Sequence, residues 1–95
     1  MTKPSPSEAP SGPRLEYPLD YGFTIIGFAS DDFPEHARRL VARHVADVPA
    51  ECVRVRSSSG GKYHSVTVSV VLESEEQRRA VYRALQADER VVYVL

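Results

Sequence analysis

The chain of 95 residues carries a single cysteine, no asparagine and no apolar run near the roughly 18 residues that a membrane span requires. Each shortage removes a class of protein. One thiol, Cys52, cannot form an internal disulfide, and with no apolar segment following Lys3 to make a signal peptide the expected location is the cytoplasm, with no membrane association. An excess of charge of one sign is also missing, since 12 Lys and Arg face 13 Asp and Glu. Leaving out Lys3, Arg14 and Glu8 of the first fourteen residues leaves ten cations against twelve anions, a net charge of about −2 for the rest. That balance argues against a general electrostatic grip on nucleic acid. All but one of those ten cations are arginine, a bias that a GC-rich genome explains as readily as a binding role does.

What is present fits one domain. A hydrophobic content of 42% in a chain of this length supplies one core and leaves no room for a second. Residues 1–14 hold Pro4, Pro6, Pro10 and Pro13 among serines and a glycine, and beyond Met1 only the small Ala9 is apolar. Such a stretch buries too little surface to order itself, so the expectation is a disordered tail at 1–14 followed by a folded domain at 15–95.

Within that domain the apolar spacing changes period four times. Phe23 to Ala29 is aromatic and β-branched, too short for a helix, and is bounded by Tyr21-Gly22 and Ser30-Asp31-Asp32, which predicts a first strand. Asp31 or Asp32 can then supply an N-cap oxygen and Pro34 sits where a missing amide proton costs nothing. Phe33, Ala37, Leu40, Val41, Val45 and Val48 keep the three-four spacing of a helix with Arg38, Arg39 and Arg43 on its far side, and Pro49 closes it. Cys52 to Arg56 alternates with period two, turning Val53 and Val55 inward and Arg54 and Arg56 outward. A Ser- and Gly-rich loop leads from there into a third strand. In it His64, Val66, Val68, Val70 and Leu72 point one way and Tyr63, Ser65, Thr67 and Ser69 the other, so the two strands form a hairpin. Ser74 and Gln77 make a capping box with Glu75 and Glu76 in the first turn, opening a second helix with Val81, Ala84 and Leu85 inward. Asp88-Glu89 turns the chain into a last strand, Arg90 to Leu95.

The order is βαββαβ, with each helix between strands that run parallel and can be neighbours. The predicted fold class is α+β: a ferredoxin-like sandwich, a four-stranded antiparallel sheet with both helices on one face. The other face stays open and is where a partner must dock; on the second and third strands it carries Arg54, Arg56, Tyr63, Ser65, Thr67 and Ser69.

Four stretches taken together, Leu15-Glu16-Tyr17-Pro18, Phe23-Thr24-Ile25-Ile26-Gly27, Ser58 to Val68 and Val91 to Leu95, resemble the small bacterial YbeD-like family of uncharacterised proteins over roughly residues 15–95. The resemblance implies a βαββαβ fold similar to ACT-type regulatory domains, which bind amino acids or other small effectors at subunit interfaces. It implies no catalytic residue.

Lys62, Tyr63, His64 and Ser65 bring a cation, a phenol, an imidazole and a hydroxyl together where a loop stiffens into a strand, and with Thr67, Arg54 and Arg56 they form the candidate site for an anion or carboxylate. The plainer account gives Gly60 and Gly61 the turn, Tyr63 the sheet rim and His64 a satisfied place at the core edge. Gly60-Gly61-Lys62 is followed by a strand, whereas a phosphate loop needs a helix whose amides point at the anion. His36 and His44 are eight apart with no cysteine or carboxylate in zinc spacing, so no metal or cofactor is expected. Cys52 has no activating base beside it, and the consecutive Glu75 and Glu76 point to different sides of a helix, so general acid-base chemistry has no pair.

These residues name no reaction, and the expected function is non-enzymatic: a regulatory or interaction module that takes a small effector, a protein partner or a second copy as a homodimer, through the open face or an edge strand. The alternative is an RNA-binding module working through the open face. Such modules stack bases on aromatics of the first and third strands, and of the third-strand positions only Tyr63 could stack. An acylphosphatase-type enzyme is excluded by the acidic Ser30-Asp31-Asp32 loop, where an anion would have to dock, and by the absence of asparagine.

Overall fold

The computed structural model describes residues 15–45 and 48–95, so the tail expected at 1–14 lies outside the described residues. The elements follow in the order β1 (Leu19–Phe28), α1 (Phe33–Ala42), a 3-10 turn (Ala50–Cys52), β2 (Val53–Ser57), β3 (Tyr63–Leu72), α2 (Glu75–Ala87) and β4 (Val91–Val94). They build one sheet in the order β2-β3-β1-β4 with every neighbouring pair antiparallel, which is the ferredoxin-like arrangement.

One expectation needs correction. The strands joined by each helix are not neighbours: β3 lies between β1 and β2, and β1 lies between β3 and β4. The two ten-residue strands take the centre, where both edges find ladder partners, and the five- and four-residue strands take the outside. Exposed edges are thereby kept short.

The alternation read in β3 holds along its length. Val66, Val68, Val70 and Leu72 are buried together with Phe23 and Ile25 of β1 under Phe33, Ala37, Leu40 and Val41 of α1 and Val81 and Leu85 of α2. Burying each of these large side chains contributes about 1.5–3 kcal/mol, so this layer between sheet and helices is the main source of stability. β1 begins at Leu19, four residues ahead of the expected start. Asp20 and Gly22 disfavour a strand on propensity, but they pair with Val71 and Ser69 of β3, and that pairing overrides the local preference.

Both helices start where the sequence indicates, by different means. Ser74 Oγ accepts from the amide of Gln77 at 3.1 Å, and the Gln77 side chain reaches back to the amide of Glu73 at 2.7 Å, one residue before the cap. Asp32 occupies the N-cap of α1 without capping it through its side chain. Its carboxylate instead accepts from Ser30 Oγ at 3.0 Å and from both Arg90 guanidinium nitrogens, at 2.7 and 3.3 Å. α1 stops at Ala42 rather than near Pro49, with the amide of His44 turning back to the Val41 carbonyl in a tightened last turn. Val45 and Val48 are buried all the same.

Two irregularities fix β4. Val94 pairs with Ile25 and Tyr93 with Ile26, but Gly27 pairs with Val91, so Val92 is an extra residue in the ladder. This bulge turns both Val91 and Val94 toward the core while Tyr93 stays opposite Ile26 on the open face. Beside it, a Cβ at Gly27 would fall 2.3 Å from Cζ of Phe33 and 2.5 Å from the Arg90 carbonyl oxygen. Substituting Gly27→Ala should therefore cost about 3 kcal/mol or more and lower the midpoint of thermal unfolding, followed by circular dichroism, by roughly 10 °C or more. A change within a degree or two would show that β1, α1 and β4 do not converge as described.

Candidate functional site

With the helices covering one side, the other side of the sheet reads as three rows across the strands. Arg56 of β2, Ser65 of β3, Ile26 of β1 and Tyr93 of β4 form one, each paired with the next. Arg54, Thr67 and Thr24 form the second, in which the two threonine hydroxyls are 3.2 Å apart. Tyr63 and Phe28 form the third, their rings stacked with centroids 5.4 Å apart and planes inclined by 30°. Phe28 and Tyr93 are 56% and 57% exposed, and these aromatic rings therefore offer their surfaces to whatever approaches the face.

The loop between β2 and β3 walls one corner. Ser58 donates its amide to the Tyr63 carbonyl and accepts the Tyr63 amide on Oγ, at 2.9 and 3.0 Å. Gly60 and Gly61 turn the chain with φ of 91° and 73°, values that favour glycine. Ile26, Arg56, Ser57, Ser58, Ser59, Tyr63 and Ser65 line a hollow of about 430 Å³ there.

Of the residues singled out by sequence, the structure brings Tyr63, Ser65, Thr67, Arg54 and Arg56 onto this face, and exposed Lys62 sits in the adjoining turn, its carbonyl accepting from the amide of Ala29. His64 does not join them. The pleat sends it to the helix side, paired with Gly27 and Ser57, where its Nδ1 is buried without a hydrogen-bond partner among the described residues. Sequence reasoning also passed over Phe28, Ile26 and Tyr93. Counting alternate residues on from the core positions Phe23 and Ile25 would have put Ile26 and Phe28 outward, whereas Tyr93 is fixed by its pairing with Ile26.

The arginines divide by environment. Arg38 and Arg39 bind Glu35, Arg78 and Arg79 bind Glu75, and Arg90 binds Asp32. Arg54 and Arg56 have no such partner among the described residues, and the only carboxylate on the strands of this face is Asp20 at its far end. Beyond Phe28 the loop carries Asp32, engaged by Arg90, and exposed Asp31. The local balance on the central part of the face is cationic although the chain as a whole is slightly acidic. Among the described residues no group of three His, Cys, Asp or Glu side chains is placed to hold a metal ion, and no helix is long and apolar enough to cross a membrane.

Comparison with known proteins adds a family to this geometry. Residues 12–95 match a family described as "Protein of unknown function (DUF493)". The chain belongs to it. Family relatives include a UPF0250 protein of Hahella chejuensis, 35% identical over 83 residues that cover 87% of this chain and 91% of that one. Another is UPF0250 protein RSc0326 of Ralstonia nicotianae, 37% identical over 91 residues, covering 96% and 94% of the two chains. This is the group to which YbeD-like proteins belong, so the resemblance seen in the sequence stands. The solution structure of protein HP0495 from H. pylori superimposes with a TM-score of 0.68 over 99% of this chain and 98% of that one at 20% identity, which establishes the shared fold.

The corner that closes the opposite side of β1 has a measurable signature. Hydrogen bonds from Arg90 and then Ser30 lower the Asp32 carboxyl from 3.8 to about 2. Arg38 and then Arg39 bring Glu35 from 4.5 to about 2. Arg78 and then Tyr17 do the same for Glu75. Groups depressed in the folded state add stability above their unfolded values and lose it as pH falls toward 2. The melting temperature should be level above about pH 5 and drop between about pH 4 and 2, and Asp32→Asn should lower it near neutral pH by an amount that shrinks toward zero near pH 2. A deficit in the variant that persists undiminished at the acid end would show that the Asp32–Arg90 pair is not its source.

Proposed function

We propose that this chain is a non-enzymatic binding module that takes its ligand on the open face of the sheet. The carrying observation is the exposed stack of Phe28 on Tyr63, with Ile26 and Tyr93 beside it and Arg54 and Arg56 unpaired among the described residues on the adjoining strand. Exposed aromatics on an ordered sheet are poor for solubility and rewarding for recognition, because rings supply contact area with few rotamers to freeze. A ligand suited to it has a flat or apolar part for the rings and an anionic part for the arginines, the hydroxyls of Ser65, Thr67 and Thr24 lying between. An interaction or regulatory role suits a family with no assigned reaction, and a site of this composition, with its acceptors, donors and rings but no activated nucleophile, supports binding rather than turnover.

The test is a thermal-shift screen of amino acids, small carboxylates and mononucleotides followed by amide chemical-shift mapping of each hit. Shifts should cluster at Thr24, Ile26, Phe28, Tyr63, Ser65 and Thr67, and Phe28→Ala should abolish them while moving the melting temperature of the unliganded protein by no more than a few degrees. Hits that map to α1 and α2, or that survive Phe28→Ala unchanged, would remove the open face as the binding surface.

A further inference from the structure

Resting on that reading, we propose that the ligand of the open face is single-stranded nucleic acid, bound two or three nucleotides at a time with bases on Phe28, Tyr63 and Tyr93 and phosphates on Arg54 and Arg56. Three observations converge on this chemistry.

First, the aromatic positions suit successive bases. Phe28 and Tyr63 are a cross-strand pair on the two central strands, already stacked on each other. Tyr93 pairs with Ile26, two residues back from Phe28, so it stands one strand over and one same-face step along. With roughly 4.8 Å between strands and about 6.8 Å between same-face residues, the Cα atoms of Phe28 and Tyr93 are separated by roughly 8 Å. Neighbouring bases splayed from a strand can use both rings. Central-strand aromatics that stack two or three bases are the general device by which open sheets read single strands.

Second, the polar groups lie in the order a nucleotide presents them. Moving from Tyr93 toward β2, the row passes Ile26 and Ser65 and ends at Arg56, so ring, hydroxyl and guanidinium follow one another across about three strand spacings, roughly 14 Å. Arg54 repeats the guanidinium one step along, behind the hydroxyl of Thr67, in a row without a ring. The hollow beside Arg56, with Ser57 and Ser59 on its wall, leaves room for a phosphate or sugar next to a base on Tyr63. Lys62, exposed in the turn, adds a third cation.

Third, the size and texture of the face fit a strand better than a protein. The outer strands are only five and four residues long, so the part of the face that all four strands share is small beside the ~800 Å² per partner that a stable protein interface takes. A hydroxyl row of Thr24, Thr67 and Ser65 also runs through its middle, where protein interfaces place their apolar centre. Only two or three phosphates are neutralised, so a slightly acidic chain can carry this site without being a basic protein. The cost is weak, salt-sensitive binding.

The experiment is a fluorescence-anisotropy titration of the full chain with labelled eight-residue oligouridine, oligothymidine and an acidic peptide of equal length, from about 50 to 200 mM salt. We expect both oligonucleotides to bind and the peptide not to. The logarithm of affinity should fall against that of salt with a slope of about −1.4 to −2, and Arg56→Gln should make that slope shallower by about 0.7. Phe28→Ala and Tyr93→Ala should each weaken binding roughly tenfold or more with the far-ultraviolet circular dichroism unchanged. Binding that Phe28→Ala leaves intact, or a slope unaffected by Arg56→Gln, overturns the proposal. So does uridine monophosphate binding as tightly as the oligomer, which would make the ligand a free nucleotide. Peptide binding in place of nucleic acid that is lost in Phe28→Ala overturns the ligand class but keeps the open face as the binding surface; probe shifts confined to the helices overturn both.

Discussion

The rest of the molecule depends on the bare backbone of Gly27. Because that residue has no side chain, the Phe33 ring and the Arg90 carbonyl can both close on β1 at one point, bringing the start of α1 and the start of β4 to the same corner. The Arg90 guanidinium then lies 5.7 Å from the Phe33 ring centroid and reaches Ser30 and Asp32, while Asp88 binds His36 with one oxygen and the Arg90 amide with the other. Two connections far apart in sequence are thus held by groups that each satisfy the other. Arg90, the cation that meets this acidic loop, is already spent on Asp32 and so is not free to receive an anion.

How much of this could be read beforehand follows the range of the forces involved. The strict alternation of β3, the Ser74 cap and the hairpin turn at Gly60 and Gly61 are local, and the structure has each where the sequence puts it. The beginning of β1 and the end of α1 were misjudged because they are decided by distant partners: β3 recruits Asp20 and Gly22 into the sheet, and the core claims Val45 and Val48 outside any regular helix. The candidate site divides in the same way. Tyr63, Ser65, Thr67, Arg54 and Arg56 follow from period-two counting. Tyr93 does not, since alternation alone leaves two equivalent faces for the last strand and pairing with Ile26 chooses between them.

Net charge is a guide to long-range attraction, while recognition at contact depends on which charges remain unspent. Among the described residues, five arginines of this chain are engaged by carboxylates on or between the helices and loops, where short ion pairs tie local structure together. Arg54 and Arg56 sit on an edge strand facing away from all of those acids. A chain that is slightly acidic overall therefore keeps uncommitted positive charge beside its exposed rings, which a sum over the sequence hides.

The extra residue at Val92 also bears on the outer edge of the sheet. β4 is an outer strand of wholly uncharged side chains, and an uninterrupted strand of that composition is a template on which identical molecules stack into fibrils. Doubling one position sharpens the local twist and leaves successive amides out of step with a straight neighbour. The irregularity that turns Val91 inward thus also leaves this edge a poor template for straight lateral pairing.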